Sequence, residues 1–282
     1  SNEVSVTTMD TTSHEFAWQT FTFGDAGAGS STLYDVAIID ENNIWAVGEI
    51  YMLDSLGNPD PSLYNLIKWN GTQWKPERVY FKDSQGQSFL APMKSVFAFN
   101  AKDVWIGLDQ IIYWNGTTYK SIELPDAVFQ SWINKMWGSS SNDLYVVGNK
   151  GSIAHYNGSS WTKIESGTDV DLKDIYGNLN NSEIWTCGWN YQTGQSMILK
   201  ITESNSEIIW DSEMLDPGFV YNGLINSICS NGIGEFVFVG GQVYRQSLLA
   251  GRLARREWVK TPNGSKVLEL GNYGYRIKGS NK

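Results

Sequence analysis

Five times along the chain a turn bearing an acid is followed by an aromatic residue, a short aliphatic run and a glycine. The clearest copy is Asn142-Asp143-Leu144-Tyr145-Val146-Val147-Gly148, which leads into Ile153-Ala154-His155-Tyr156-Asn157-Gly158-Ser159-Ser160-Trp161. Related copies centre on Asn43-Ile44-Trp45-Ala46-Val47-Gly48, Asp103-Val104-Trp105-Ile106-Gly107, Glu183-Ile184-Trp185-Thr186-Cys187-Gly188 and Glu235-Phe236-Val237-Phe238-Val239-Gly240. The anchors at 43, 103, 143, 183 and 235 lie 60, 40, 40 and 52 residues apart. A unit of about 40 residues made of short strands cannot bury its own apolar faces, and stacking such units gives an all-β propeller. The fold expected is therefore a β-propeller of four-stranded blades, with five legible repeats and parts of a sixth.

The repeats start near residues 33, 93, 133, 172 and 225. In each, the first strand is expected to line a central channel. The second, carrying the aromatic and the glycine, is expected to be buried on both faces, because its polar alternation fades. The third and fourth form an outer hairpin, with Asn-Gly read as a type I′ turn and the following Trp as an outer cap. The copies differ at a long excursion (51–63), a polar loop (82–92) and a turn at 189–195. Residues 272–282 read as the opening strand of a sixth repeat. The strand-like run Phe16-Ala17-Trp18-Gln19-Thr20-Phe21-Thr22 would supply that blade's outermost strand if the two ends paired. The expectation is a piece of a longer protein or an open arc of blades.

A formal charge of −9 argues against nucleic acid as the partner. The charge is uneven, since residues 243–282 carry +7 and the rest −16. This reads as a solvated outer strand, with an anion-binding edge as the sharper alternative. Cys187 and Cys229 are too few for a disulfide framework and are expected to be buried thiols. No run of about 18 apolar residues suggests a membrane span.

Catalytic and metal signatures are sparse. Neither His14 nor His155 has an acid and a nucleophile arranged around it, no His/Cys cluster has metal spacing, and no cofactor fingerprint appears. One acid per repeat, spread around a ring, does not make a calcium site and reads as loop capping. Asn70, Asn115, Asn157 and Asn263 satisfy the glycosylation pattern, but turn chemistry accounts for them. Sialidase-type propellers share the turn only in part, because Tyr-Asn-Gly-Ser-Ser-Trp lacks their Asp. The best candidates for a ligand site at the channel mouth are the inner-strand charges Asp35, Lys94, Lys135 and Asp174, against the plainer reading that they pair structurally. Trp132 and Trp189 fall outside the repeat-fixed aromatic positions and are the candidates for exposed rings.

The repeat resembles those of secreted and surface lipoprotein propellers of Bacteroidetes-type bacteria, over roughly residues 14–282. The opening Asn2-Glu3-Val4-Ser5-Val6-Thr7-Thr8 resembles the last strand of a fibronectin type III module, so residues 1–13 are assigned to such a module's end and its linker. The resemblance implies an extracellular or envelope location with a lipid anchor upstream. Some members are labelled glucosyltransferases, an activity not carried over for want of a nucleotide-sugar site. The function expected is non-enzymatic binding or scaffolding of protein or polysaccharide, without a cofactor. The alternative is a glycoside hydrolase or lyase working at the channel, which needs two opposed carboxyls. A third reading, an assembly factor with a basic groove, needs the C-terminal arginines on one face.

Overall fold

The computed structural model describes residues 19–83, 85–178, 183–212, 222–230, 236–244, 256–261 and 264–269. The fibronectin-like opening, the partial repeat at 272–282 and most of the basic segment's side chains lie outside the described residues. So does the side chain of Cys229.

Five antiparallel four-stranded sheets follow one another in chain order. The first comprises β1 (Thr32–Asp40), β2 (Asn43–Ile50), β3 (Tyr64–Trp69) and β4 (Trp74–Glu77). A small hairpin, β5 (Phe81–Lys82) and β6 (Ser88–Phe89), then occupies the stretch expected to be a plain polar loop. The rings of Phe81 and Phe89 stack at 5.4 Å, which gives this segment an apolar anchor that its polar tip conceals. The second sheet comprises β7 (Ser95–Asn100), β8 (Asp103–Gly107), β9 (Ile111–Trp114) and β10 (Tyr119–Ile122). The third holds β11 (Ile133–Ser140), β12 (Asp143–Gly148), β13 (Ile153–Tyr156) and β14 (Trp161–Ile164), and the fourth β15 (Asp171–Asn178), β16 (Glu183–Trp189), β17 (Ser196–Ile201) and β18 (Ser206–Asp211). The fifth holds β19 (Asn222–Ser230), β20 (Phe236–Tyr244), β21 (Arg256–Thr261) and β22 (Gly264–Glu269). Its third and fourth strands pair from Arg256↔Glu269 to Thr261↔Gly264, so Trp258 lies on the third strand.

The first strands of successive sheets touch in the order β1, β7, β11, β15, β19. Between each pair of sheets lies an apolar layer. Trp45, Val47 and Leu66 meet Val96, Val104 and Ile112 between the first and second. Trp137, Tyr145 and Val147 meet Leu172, Ile175 and Ile184 between the third and fourth. β8, β12 and β16 are buried on both faces because each is sandwiched between two such layers, as β12 shows along almost its whole length. The glycine ending three of these strands has a steric cause. A Cβ on Gly48, Gly148 or Gly188 would collide with the carbonyl oxygen of Thr32, Trp132 or Asp171, where the first strand of the same sheet bulges against it.

The Asn-Gly turn is not type I′. That turn needs positive φ at two central residues, whereas here only the glycines have it, with φ of 91° at Gly71, 93° at Gly116 and 89° at Gly158. The loop has four residues, and the Asn side chain organises it. Asn70 Oδ1 accepts from the amides of Thr72 and Gln73 at 3.0 and 2.9 Å, and Asn115 and Asn157 repeat the arrangement. Residues 19–22 form no strand. Phe21 and Phe23 instead pack their rings against Trp74 at 5.7 and 5.2 Å, on the outer hairpin of the first sheet.

Strand alternation sends successive connections to opposite ends of every sheet. Among the described residues, one end carries short turns: 41–42, 70–73, 101–102, 115–118, 141–142, 157–160 and 202–205. The other carries 51–63, 78–94, 123–132 and 190–195. All three segments in which the repeats differ therefore gather at one end, and the constant turns at the other.

Candidate functional site

Register places the inner-strand charges. Asp35 stands opposite Val47, Lys135 opposite Val147 and Asp174 opposite Cys187, so the three occupy one equivalent position. Ser95 and Ser227 hold that position in the second and fifth sheets. Lys94 is one residue nearer the variable end, level with Tyr34, Asn134, Lys173 and Asn226. The offset has a local cause. The second repeat lacks the valine of Val-Gly, so Gly107 takes the register of Val47, and counting back from the glycine lands on Lys94 instead of Ser95.

The aligned ring acts as a set of ties between sheets. Asp35 is 5% exposed. Its Oδ2 accepts from the Val96 amide of the second sheet at 3.0 Å. Its Oδ1 accepts from its neighbour Val36 at 2.9 Å and pairs with Lys135 Nζ of the third sheet at 2.5 Å. Asp174 repeats the motif one interface later. Its Oδ2 accepts from the Ser227 hydroxyl at 2.7 Å and the Ile228 amide at 3.1 Å. These carboxylates are occupied in joining strands, and a general-acid role would require them to leave those donors.

Burial pushes Asp174 above the ordinary carboxylate range, against the pull of Lys135 and the donors from Ser227 and Ile228. Beside it Cys187, a free buried thiol, is raised by burial and then by the Asp174 charge. A carboxyl raised in the folded state keeps a proton that the unfolded chain has already released. Its contribution favours the fold at low pH and is lost as pH rises from about 4 through the folded value. Asp174→Asn, neutral at every pH, is expected to flatten that loss. Melting temperatures of the two proteins measured across acidic to neutral pH would show it, and parallel curves would refute it.

The next position outward is polar and more open. Lys94 Nζ lies 3.3 Å above the ring of Tyr34, whose hydroxyl donates to Glu49 Oε1. Burial, then Glu49, pushes the Tyr34 phenol up to about 12. Burial also lowers Lys94, with Glu49 opposing. Trp189, expected to be an exposed ring, is half-buried. Its Nε1 donates to Asn226 Oδ1 at 2.6 Å, and Lys173 Nζ lies 5.4 Å from its centroid. The exposed ring there is Tyr191, 84% accessible, in the non-repeating turn. Trp132 is 57% exposed and stands in the wall of a cavity of about 530 Å³ between the second and third sheets.

His155 is structural: its Nε2 is 2.7 Å from Asp143 Oδ1 and its ring stacks on Tyr145 at 4.1 Å. The acids before the second strands bond locally in the same way, with Asp103 accepting from Trp105 Nε1 at 3.0 Å and Glu183 pairing with Lys200 at 2.7 Å. Among the described residues no group of His, Cys, Asp and Glu has the disposition of a metal site, and no helix is long and apolar enough to cross a membrane.

No family model and no curated protein matches the chain. Solved structures do. "YCF48 bound to D1 peptide" aligns with a TM-score of 0.54 at 13% identity, over 84% of this chain and 67% of that one. The WD40 propeller domain of Doa1 aligns with a TM-score of 0.52 at 10% identity, over 88% and 86%. The WD40 repeats of RRP9 align with a TM-score of 0.51 at 9% identity, over 88% and 84%. The fold is a β-propeller. At such identities the likeness establishes architecture, and the sheets described above are its blades.

The blade geometry separates a face of constant turns from a face on which Trp132, Tyr191, Lys94 and the 51–63 loop converge. That loop is well braced. Asp25 Oδ2 accepts from the Leu53 amide at 2.8 Å, Asp54 Oδ1 accepts from Leu56 and Asn58 at 2.8 and 2.9 Å, and Arg78 pairs with Asp60 at 2.5 Å. The sequence marked the loops as the places where copies differ. It did not show that they share one face, which follows only from the strand order.

Proposed function

We propose that the chain is a non-enzymatic binding propeller, exposed outside the cell, that takes a segment of a partner protein across the face carrying its variable loops. The observation that carries this reading is that the non-repeating segments 51–63, 82–92 and 189–195 all lie at one end. Exposed aromatic rings and charges of both signs lie at that end, while the opposite end carries short turns, three of them organised by an Asn side chain. Aromatics in a polar setting are the usual anchors of protein interfaces. A structural neighbour with a peptide bound, YCF48, supports a peptide as the kind of partner. The extracellular setting rests on the resemblance to surface lipoproteins. Polysaccharide is the second reading, favoured by exposed rings such as Trp132 and Tyr191 as stacking platforms.

Panning a library of displayed random peptides against the full chain tests it, with a glycan array run in parallel. Enriched peptides are expected to lose at least about tenfold in affinity for Trp132→Ala/Tyr191→Ala, each ring contributing on the scale of an interface anchor. Peptides indifferent to that double variant would overturn the assignment of the face. Retention of glycans without peptides would transfer the site to the second reading.

A further inference from the structure

The cavity beside Trp132 has a chemistry of its own. It lies at the variable end between blades 2 and 3, and its volume of about 530 Å³ falls within the roughly 300–1,000 Å³ of ordinary ligand sites. Asp109, Glu123 and Asp126 line it with a single cation, Lys150, so its walls are acidic. Gln110 also lines it, and Gln110 Oε1 is buried without a hydrogen-bond partner. The floor is apolar, formed by Leu124 and Phe129, each 5% exposed. A turn holds that floor in place, in which Pro125 O accepts from the amides of Val128 and Phe129 at 2.8 and 3.0 Å.

Trp132 completes the set. Elsewhere this protein places its own cations over aromatic faces, Lys68 at 3.8 Å from Trp45 and Lys94 at 3.3 Å from Tyr34. Trp189 already has Lys173 and Asn226. The exposed ring of Trp132 has no such occupant among the described residues.

An apolar floor, an aromatic wall and a rim of carboxylates together describe the environment of a long basic side chain. Its methylenes lie on the floor while its N–H groups reach the oxygens and the ring. We infer that this cavity is the subsite for a lysine or arginine side chain of the bound peptide. This inference rests on the peptide-binding reading and adds to it the chemical class of the anchor residue.

Fluorescein-labelled tetra-arginine, tetralysine and tetraglutamate peptides, titrated into the full chain and followed by anisotropy, provide the test. The basic peptides are expected to bind and the acidic one not to. Trp132→Ala should weaken them about tenfold, and Asp109→Asn/Glu123→Gln/Asp126→Asn by at least as much. Because the whole chain is acidic, a control neutralises three exposed carboxylates away from the cavity, Glu41→Gln/Glu203→Gln/Glu207→Gln, and should leave affinity within about twofold. Equal weakening by the control, or no weakening by the cavity variants, would overturn the subsite. If library-selected peptides need Tyr191 and Trp132, yet show no excess of Lys or Arg and ignore the cavity carboxylates, the subsite falls and peptide binding stands. If no peptide binds at all, both fall.

Discussion

Asp35→Ala is expected to destabilise the propeller by about 3–5 kcal/mol, the scale of breaking a buried ion pair by removing one partner. The side chain joins three blades. It accepts the Val96 amide of blade 2 and holds Lys135 of blade 3 at 2.5 Å, within a site that leaves it 5% exposed. Alanine removes the acceptor from the Val96 N–H and leaves the Lys135 ammonium, 15% exposed at its side chain, without this carboxylate. Lys135→Met is expected to cost less, because Asp35 keeps the amides of Val36 and Val96, and a methionine fills the stem's volume without a charge. The double variant should recover part of the Asp35→Ala loss, since the stranded ammonium is then gone. Urea unfolding of both single variants and the double one gives the cycle. A cost below about 1 kcal/mol for Asp35→Ala, the scale of an exposed pair, would mean that the ring of inner-strand charges does not tie the blades together.

The same ring shows what could be read from the chain and what could not. The architecture was legible because a blade cannot exist alone: the spacing of the aromatic and glycine, and the loss of alternation in the second strand, are direct consequences of packing sheet on sheet. Register was less legible. One missing valine before Gly107 moved the apparent equivalent of Asp35 from Ser95 to Lys94, and the bulges at Leu33/Asp35, Ile133/Lys135 and Leu172/Asp174 are invisible to residue counting. The Asn-Gly pair suggested a two-residue turn, although the Asn carboxamide can satisfy the amides of a four-residue loop and so favours the longer form. Trp132 stood out because it breaks the repeat. Its cavity did not, since Asp109, Gln110, Glu123 and Asp126 come from connections on two sides of a blade and converge only after folding. Asp35 and Asp174 illustrate the reverse, being charges at a channel that turned out to hold structure together.

Trp185→Ala should cost about 3–5 kcal/mol, the range for emptying a buried tryptophan site, and should loosen one interface in particular. Trp185 is 1% exposed and packs with Cys187 and Ile198 of its own blade against Ile225 and Ile228 of blade 5. Among the described residues these form the apolar cluster at that junction, with Tyr176 packed against it. Repeat architectures draw their stability from each unit and its contacts with neighbours, so a deletion here weakens the docking of blade 5 on blade 4. Among the described residues, polar ties also join the two blades: Asp174 with Ser227 and Ile228, and Trp189 with Asn226. Hydrogen exchange of the variant should therefore show protection lost first in the amides of β19, while β7 and β11 keep theirs until the whole chain unfolds. Trp185→Phe, which keeps an aromatic ring in the same layer, should show a smaller version of the same pattern. A uniform loss of protection across all five blades would mean that the propeller unfolds as one cooperative unit and that no single interface can be weakened on its own.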